Sequence, residues 1–199
     1  MSATASPYGL LPVKLIGSQV YAGSIREFAM TTNSSTAIFC GDLINLTTGQ
    51  PAAVTSSPTT TYGTSTPVGV CVGVRYQDPT MGYYLNGMYL PADAITNGYK
   101  NVFIQVVDDP DTIFRIQADD TVAATALGKN APIAYTVGST TTGRSKVALD
   151  ASAIATTNTL ALRIVGFPDE PGSKVGDAFT DCFVKFNQGV HAYQNATGG

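Results

Sequence analysis

Residues 101–117 read NVFIQVVDDPDTIFRIQ, and this stretch decides the fold class. Val102, Ile104 and Val106 alternate with Phe103, Gln105 and Val107; after an acidic turn, Thr112, Phe114 and Ile116 alternate with Ile113, Arg115 and Gln117. Side chains on a strand point to opposite faces with period two, so each run offers a core face and a second, partly polar face. Asp109-Pro110-Asp111 supplies the reversal, because proline presets φ at the first central turn position and Asp side chains bond turn backbone. The pattern predicts a central β-hairpin with both arms heavily apolar. It holds no nucleophile, no metal-ligand spacing and no phosphate loop. It therefore reads as scaffold, which moves the function to a surface elsewhere.

The composition agrees with an all-β chain. Of 199 residues, 44% are hydrophobic and only 13% charged, where about 25% charged is usual. Twenty glycines, eleven prolines and many Thr and Ser imply frequent turns, and no long window shows apolar residues at helical spacing. The net charge is −3 and the eleven basic residues are scattered, which argues against nucleic acid as a partner, since phosphate binding needs clustered positive charge. No run approaches the roughly 20 apolar residues of a membrane span. The start of the chain lacks the basic and apolar regions of a secretory signal. Cys40, Cys71 and Cys182 are odd in number and far apart, which predicts reduced, buried thiols in a chain folded in the cytoplasm.

Outward from the central stretch, the chain divides into an arm (1–25), a first β-unit with an aromatic loop (26–100), and a second β-unit with a polar tail (101–199). In the arm, Pro7, Pro12, Gly9, Gly17 and Gly23 exclude a regular helix. Tyr8, Leu10, Leu11, Val13, Leu15, Ile16, Val20 and Tyr21 are nonetheless too apolar for a free tail. The arm must cover them, either along its own domain or on a neighbouring subunit. On the second reading, removing residues 1–21 leaves a folded protein. In the first unit, Arg26–Thr31, Ile38–Cys40 and Leu43–Leu46 read as strands, 47–51 as a turn and 55–66 as a polar exposed loop. Val68, Val70, Val72 and Val74 are expected on one strand face, with Gly69, Cys71 and Gly73 on the other, allowing another layer to approach closely. Residues 77–100 are irregular and aromatic. Tyr83, Tyr84 and Tyr89 sit there with Met81 and Met88, a mixture that suits interfaces. In the second unit, 131–137, 145–149, 160–167 and 179–186 read as strands, with Phe179, Phe183, Val184 and Phe186 as core candidates, and 151–155 as one helical turn. Short strands between turn signals point to small barrels or sandwiches.

The candidate chemistry is thin. His191, the single histidine, has no Ser or Cys partner in any signature spacing and reads as an exposed tail residue. Asp108-Asp109-Asp111 and Asp119-Asp120 do not match a calcium loop, and the glycines at 69–73 precede no helix, so no dinucleotide motif is present. The sequence therefore predicts no catalytic residue, cofactor or metal. It predicts a low-charge β-protein whose arm and aromatic loop are covered by a partner.

The segments PYGLLPVKLIGSQVYAGS, GDLINLTTGQPAAV, TPVGVCVGVRYQDP, VVDDPDTIFRIQ and LRIVGF…GDAFTDCFVKFNQGVHAY together resemble a family of small virion structural proteins of tailed bacteriophages. The resemblance spans nearly the whole chain, and its motifs are structural. By analogy with cement proteins it implies an oligomeric decoration protein, a homotrimer, that binds the major capsid protein on the capsid exterior. The expected architecture is two small β-barrel or sandwich-like units with an extended N-terminal arm. A tail or baseplate adaptor is the alternative structural role. A virion-borne carbohydrate-binding or hydrolytic module is a third, disfavoured by the single His and the absence of Trp.

Overall fold

A computed structural model describes residues 4–55, 66–171 and 173–194. Most of the expected polar loop at 55–66, and the end of the polar tail, lie outside the described residues. The chain is all-β. Its strands are β1 (Leu11–Leu15), β2 (Arg26–Met30), β3 (Ile38–Phe39), β4 (Leu43–Thr47), β5 (Gln50–Ala53) and β6 (Pro67–Gln77). They continue with β7 (Tyr84–Gly87), β8 (Tyr89–Leu90), β9 (Lys100–Val107) and β10 (Thr112–Gln117). The last are β11 (Asn130–Ala131), β12 (Ile133–Ala134), β13 (Ala148–Leu149), β14 (Leu162–Gly166) and β15 (Asp181–Phe186). A single 3-10 turn, Ala124–Ala126, is the one helical element among the described residues. The segment 151–155 instead makes a turn in which Asp150 Oδ1 accepts from Ser152 N at 2.9 Å and Ala153 N at 3.2 Å.

The strands form two principal antiparallel sheets. One runs β2-β9-β6-β4-β5, with β7 added beside β6; the other runs β1-β10-β15-β14-β11. The first curls until its edges β2 and β5 approach. There the Gln50 side-chain oxygen accepts from the backbone N–H of Thr31 at 2.7 Å. No backbone ladder joins those edges, so the barrel stays open. Inside the curl lie Met30, Ile38, Ile44, Val68, Cys71, Val74, Leu90, Val102, Ile104 and Val106. A second core, between the other sheet and the outside of the curl, holds Leu10, Leu43, Val70, Val107, Phe114, Ile116, Leu162, Val184 and Phe186.

Residues 101–117 form both predicted strands, but not a hairpin. β9 pairs with β2 and β6, whereas β10 pairs with β1 and β15. The turn is a corner where the chain leaves one sheet for the other. Its chemistry is as expected: Thr112 N donates to Asp109 O at 3.1 Å and Asp111 N to Asp109 Oδ1 at 2.9 Å. The pairing differs because a strand has two hydrogen-bonding edges, and other strands fill both edges of each arm. Alternation reports which face is buried and carries no information about which edge is paired.

Other departures have equally local causes. Register shifts between Cys71 and Gly73, and around Val68, break the period of two along β6. Val68, Cys71 and Val74 therefore enter the curl, while Val70 and Val72 face the second core. The close approach at Gly69 is to the neighbouring strand: a Cβ there would lie 2.2 Å from Val107 O. The segment 47–51 is the tip of a hairpin, with Thr48 at φ 50° and Gly49 at φ 76° joining β4 to β5. Positive φ at both central positions is the type I′ signature, whose twist matches that of paired strands. Pro132 divides the expected strand at 131–137 into β11 and β12. In β15 the inward side chains are Cys182, Val184 and Phe186; Phe183 faces outward under the Lys14 ammonium, 5.2 Å from its ring centroid. Phe179 precedes the strand, at φ 54°, and is half-buried.

Candidate interaction surfaces

The N-terminal arm is two structures in series. Its proximal part is built into the fold. Ser6 N donates to Gln117 Oε1 at 2.7 Å, and Leu10 N donates to Gly41 O at 2.9 Å. Leu10 is 0% exposed in the second core. The Tyr8 hydroxyl donates to Asp181 Oδ1 at 3.0 Å, and the Arg115 guanidinium grips Asp181 Oδ2 at 2.6 Å and Glu170 at 2.9 Å. Burial, then the Asp181 charge, raises the Tyr8 phenol well above its ordinary value, so it stays a neutral donor. Leu11 and Leu15 are half-buried in β1, the edge strand beside β10, and Tyr21 packs half-buried on the same core.

The distal part of the arm turns back on itself. Leu15 N donates to Gln19 O at 2.9 Å, Lys14 bridges to Val20, and Ile16 N donates to Asp111 O at 2.9 Å. Gly17 at φ 81° and Ser18 at φ 64° make the reversal. Val13, Ile16, Val20 and Ile25 are exposed there, Val20 at 82%. From 15 to 25 the sequence LIGSQVYAGSI carries no charge.

The aromatic loop also divides. Tyr89 is half-buried in β8, its ring stacked on Phe39 with centroids 5.6 Å apart. Tyr83, Tyr84 and Met81 surround the turn between β6 and β7 and are exposed, Met81 at 63%. That turn is tied by Asp78, whose Oδ1 accepts from Thr80 N at 2.8 Å and Met81 N at 2.7 Å. Arg75 lies 4.5 Å from the Phe103 ring centroid and 5.6 Å from that of Tyr84, with Glu27 at 2.7 Å. Its hydrogen bonds pull the Glu27 carboxyl below the usual range.

These two exposed segments stand at opposite ends of β9. The arm tip is fastened to Asp111, just past Val107; the aromatic turn adjoins the Gln77–Lys100 pair at the other end. Eight residues of strand at about 3.3 Å each place them roughly 25 Å apart. The structure therefore places Val13, Ile16 and Val20 on the reversed arm, where Lys14 bridges to Val20, and joins Tyr83 to Met81 through the Tyr83 hydroxyl. It assigns Tyr8, Leu10 and Tyr89 to its own packing. Val20, the most exposed of the large apolar residues described, belongs to the arm's apolar set read from the sequence, and its setting between Gly17 and Gly23 marks a turn.

The cysteines, the histidine and two of the three corner aspartates are enclosed or paired. All three cysteines are free and buried; burial pushes the Cys182 thiol up to about 12 and raises Cys40 and Cys71 as well. Asp108 pairs with Arg26 at 3.0 Å, and Asp111 with Lys185 at 3.2 Å. His191 is not an exposed tail residue but 0% exposed. Shallow hollows occur among the described residues. One, of about 320 Å³, is lined by Thr32, Asn33, Ser34, Thr48 and Gln50 between β2 and β5. No group of three or more metal-ligating side chains is found among the described residues, and no helix there is long and apolar enough to cross a membrane. Comparison with family models, curated proteins and solved structures finds no match.

Proposed function

We propose that this chain is a non-enzymatic structural protein of a tailed-phage virion, which decorates the capsid exterior as a homotrimer and braces neighbouring major capsid subunits. The observation that carries the reading is the separation of two uncharged apolar segments, Ile16–Ile25 and Met81–Tyr84, at opposite ends of one strand. A brace needs two footholds on one rigid body. β9 is a central strand, paired along both edges, so the body between the footholds is stiff. Burial of apolar surface stabilises by about 25 cal/mol per Å² before ordering costs. Small footholds repeated over many capsid positions then sum to a large effect on the shell. The resemblance of five sequence segments to small virion proteins supplies the choice of partner.

The test is sedimentation of the purified protein with undecorated capsid shells. Ile16→Ser with Val20→Ser, and separately Met81→Ser with Tyr83→Ser, should each weaken association by tenfold or more while leaving thermal unfolding within a few degrees of wild type. Full decoration by both variants would overturn the two-foothold reading. A ratio of about a dozen copies per particle, measured against the major capsid protein, would replace decoration with a tail or baseplate adaptor.

A further inference from the structure

Residues 187–194 run back from the end of β15 to the other sheet. Asn187 N donates to Ala161 O at 2.9 Å, and its amide donates to Asn158 O at 2.8 Å and Leu160 O at 3.1 Å, anchoring the strap at one side. At the other side Ala192 N donates to Pro67 O, at the start of β6, at 3.0 Å. The Tyr193 hydroxyl donates to Asp108 Oδ2 at 2.8 Å, and Arg26 of β2 donates to that hydroxyl at 3.1 Å. Val190 sits in the second core and Ala192 packs against the core inside the curl. One short segment thus fastens both sheets and plugs both cores.

His191 stands at its centre. Its ring meets Phe186 and Tyr193 edge-on, with centroids 5.1 and 5.2 Å away. Nδ1 accepts from Tyr193 N at 3.2 Å, which places the ring proton of the neutral tautomer on Nε2. Nε2 has no partner within hydrogen-bond geometry among the described residues, though the backbone carbonyls of Val68 and Asp108 are adjacent. The charged and titratable groups facing the ring are Asp108 and Asp109 from the corner between β9 and β10, Arg26 from β2, and Tyr193 on the strap itself. Asp108 is already engaged by Arg26 and Tyr193, so it is a poor counter-ion for an imidazolium.

We propose that residues 187–194 are an acid-sensitive latch between the two sheets, released when His191 takes a proton. A proton from solvent can add only at Nδ1, the nitrogen with the free lone pair. That removes the acceptor for Tyr193 N–H, sets two donors against each other, and leaves a charge in a buried site whose backbone carbonyls and engaged carboxylates offset only part of the cost of burial. Opening the strap relieves all three by giving the imidazolium to water. Burial lowers the affinity of the enclosed ring for that proton below its ordinary value, more than the Val68 backbone carbonyl, the Asp108 and Asp109 carboxylates and the Asp108 carbonyl together raise it. The sign follows from linkage: with the folded-state pKa depressed below about 6.5, the unfolded or opened state binds the proton first. The latch is closed above that pH and weakens as pH falls through it.

Because His191 is the single histidine, its imidazole gives one resolvable NMR titration in the full-length protein. Hydrogen exchange of peptides covering 187–194, corrected for intrinsic rates, should accelerate at least tenfold between pH 7 and pH 5, with the midpoint of the imidazole titration, while β14 stays protected. His191→Phe and His191→Gln should each flatten that pH dependence; either one that folds suffices. Unchanged exchange as His191 titrates would overturn the proposal. So would the same acid-induced opening in a folded variant, which would transfer the effect to the corner carboxylates.

Discussion

Tyr8 and Asp181 are 173 positions apart in sequence and joined by a 3.0 Å hydrogen bond, and that bond separates the arm into a structural part and a free part. Residues 6–15 complete a sheet and a core, so removing residues 1–21 would strip β1 from the edge of β10 and empty the Leu10 site. The truncated protein should not fold, contrary to the expectation for an arm that lies on a neighbour. Leu10→Ala alone should cost about 2–5 kcal/mol, the range for emptying a well-packed aliphatic site. Tyr8→Phe should cost about 1 kcal/mol, because Arg115 still satisfies the carboxylate. Urea denaturation of the two variants measures both.

Gly69 makes the closest approach to its surroundings among the described glycines. A Cβ on it would lie 2.2 Å from Val107 O and 2.7 Å from Val106 Cγ1. The first is backbone of the adjoining strand and cannot rotate away. Gly69→Ala should therefore cost upwards of about 3 kcal/mol, at or beyond the ordinary range for overpacking. The expected outcome is a drop in Tm of ten degrees or more, or an insoluble product. Gly49→Ala lies in open space, though at positive φ, and should cost less.

What the sequence conveyed was faces, and what it withheld was edges. The alternation Val102, Ile104, Val106 and Phe114, Ile116 marked the buried sides of β9 and β10 correctly, because solvent exposure acts on each residue in turn. That the two strands belong to different sheets depends on β2, β6, β1 and β15, whose paired residues lie from 23 (Gln77 and Lys100) to 104 (Leu11 and Arg115) positions away, and leaves no local trace. The bulge near Val72 shifted half of β6 to another core for the same reason. The interface candidates divided similarly. Composition marked the arm and the aromatic loop as apolar, but only the three-dimensional pairing shows that Leu10 and Tyr89 are consumed internally while Val20 and Met81 are not. His191 lies between Val190 and Ala192, but the polar Asn187, Gln188 and Gln194 around them gave the segment the look of a tail.

The β4–β5 tip contains a residue type its geometry does not favour. Thr48 is β-branched and sits at φ 50°, a region that costs L-residues roughly 1–2 kcal/mol and that Asn tolerates best after Gly. Asn-Gly is the preferred type I′ pair. Thr48→Asn should stabilise the protein by up to about 1 kcal/mol, offset in part by losing the hydroxyl bond to Thr47 O. A rise in Tm is expected, and a fall would mean that the Thr48 hydroxyl matters more than the backbone conformation.

Asp42 gives the opposite pH dependence from His191. It is 2% exposed; Oδ2 accepts from Phe39 N at 2.8 Å, and Oδ1 has no partner within hydrogen-bond geometry, though the Ser145 hydroxyl is adjacent. Burial raises its carboxyl above the usual value, more than those two neighbours lower it. An acid with a raised folded-state pKa binds its proton more tightly when folded, so its contribution is most favourable at low pH and is lost as pH rises from about 4 through the folded value. Asp42→Asn keeps an oxygen for Phe39 N and offers its amide to Ser145 without a buried charge. The variant should therefore be more stable than wild type at pH 7, and the difference should shrink towards pH 4. Because His191 is present in both proteins, subtracting the two Tm–pH curves isolates Asp42; a difference that is flat with pH, or that favours wild type at pH 7, would show that the carboxylate is held ionised by partners stronger than Phe39 N and Ser145.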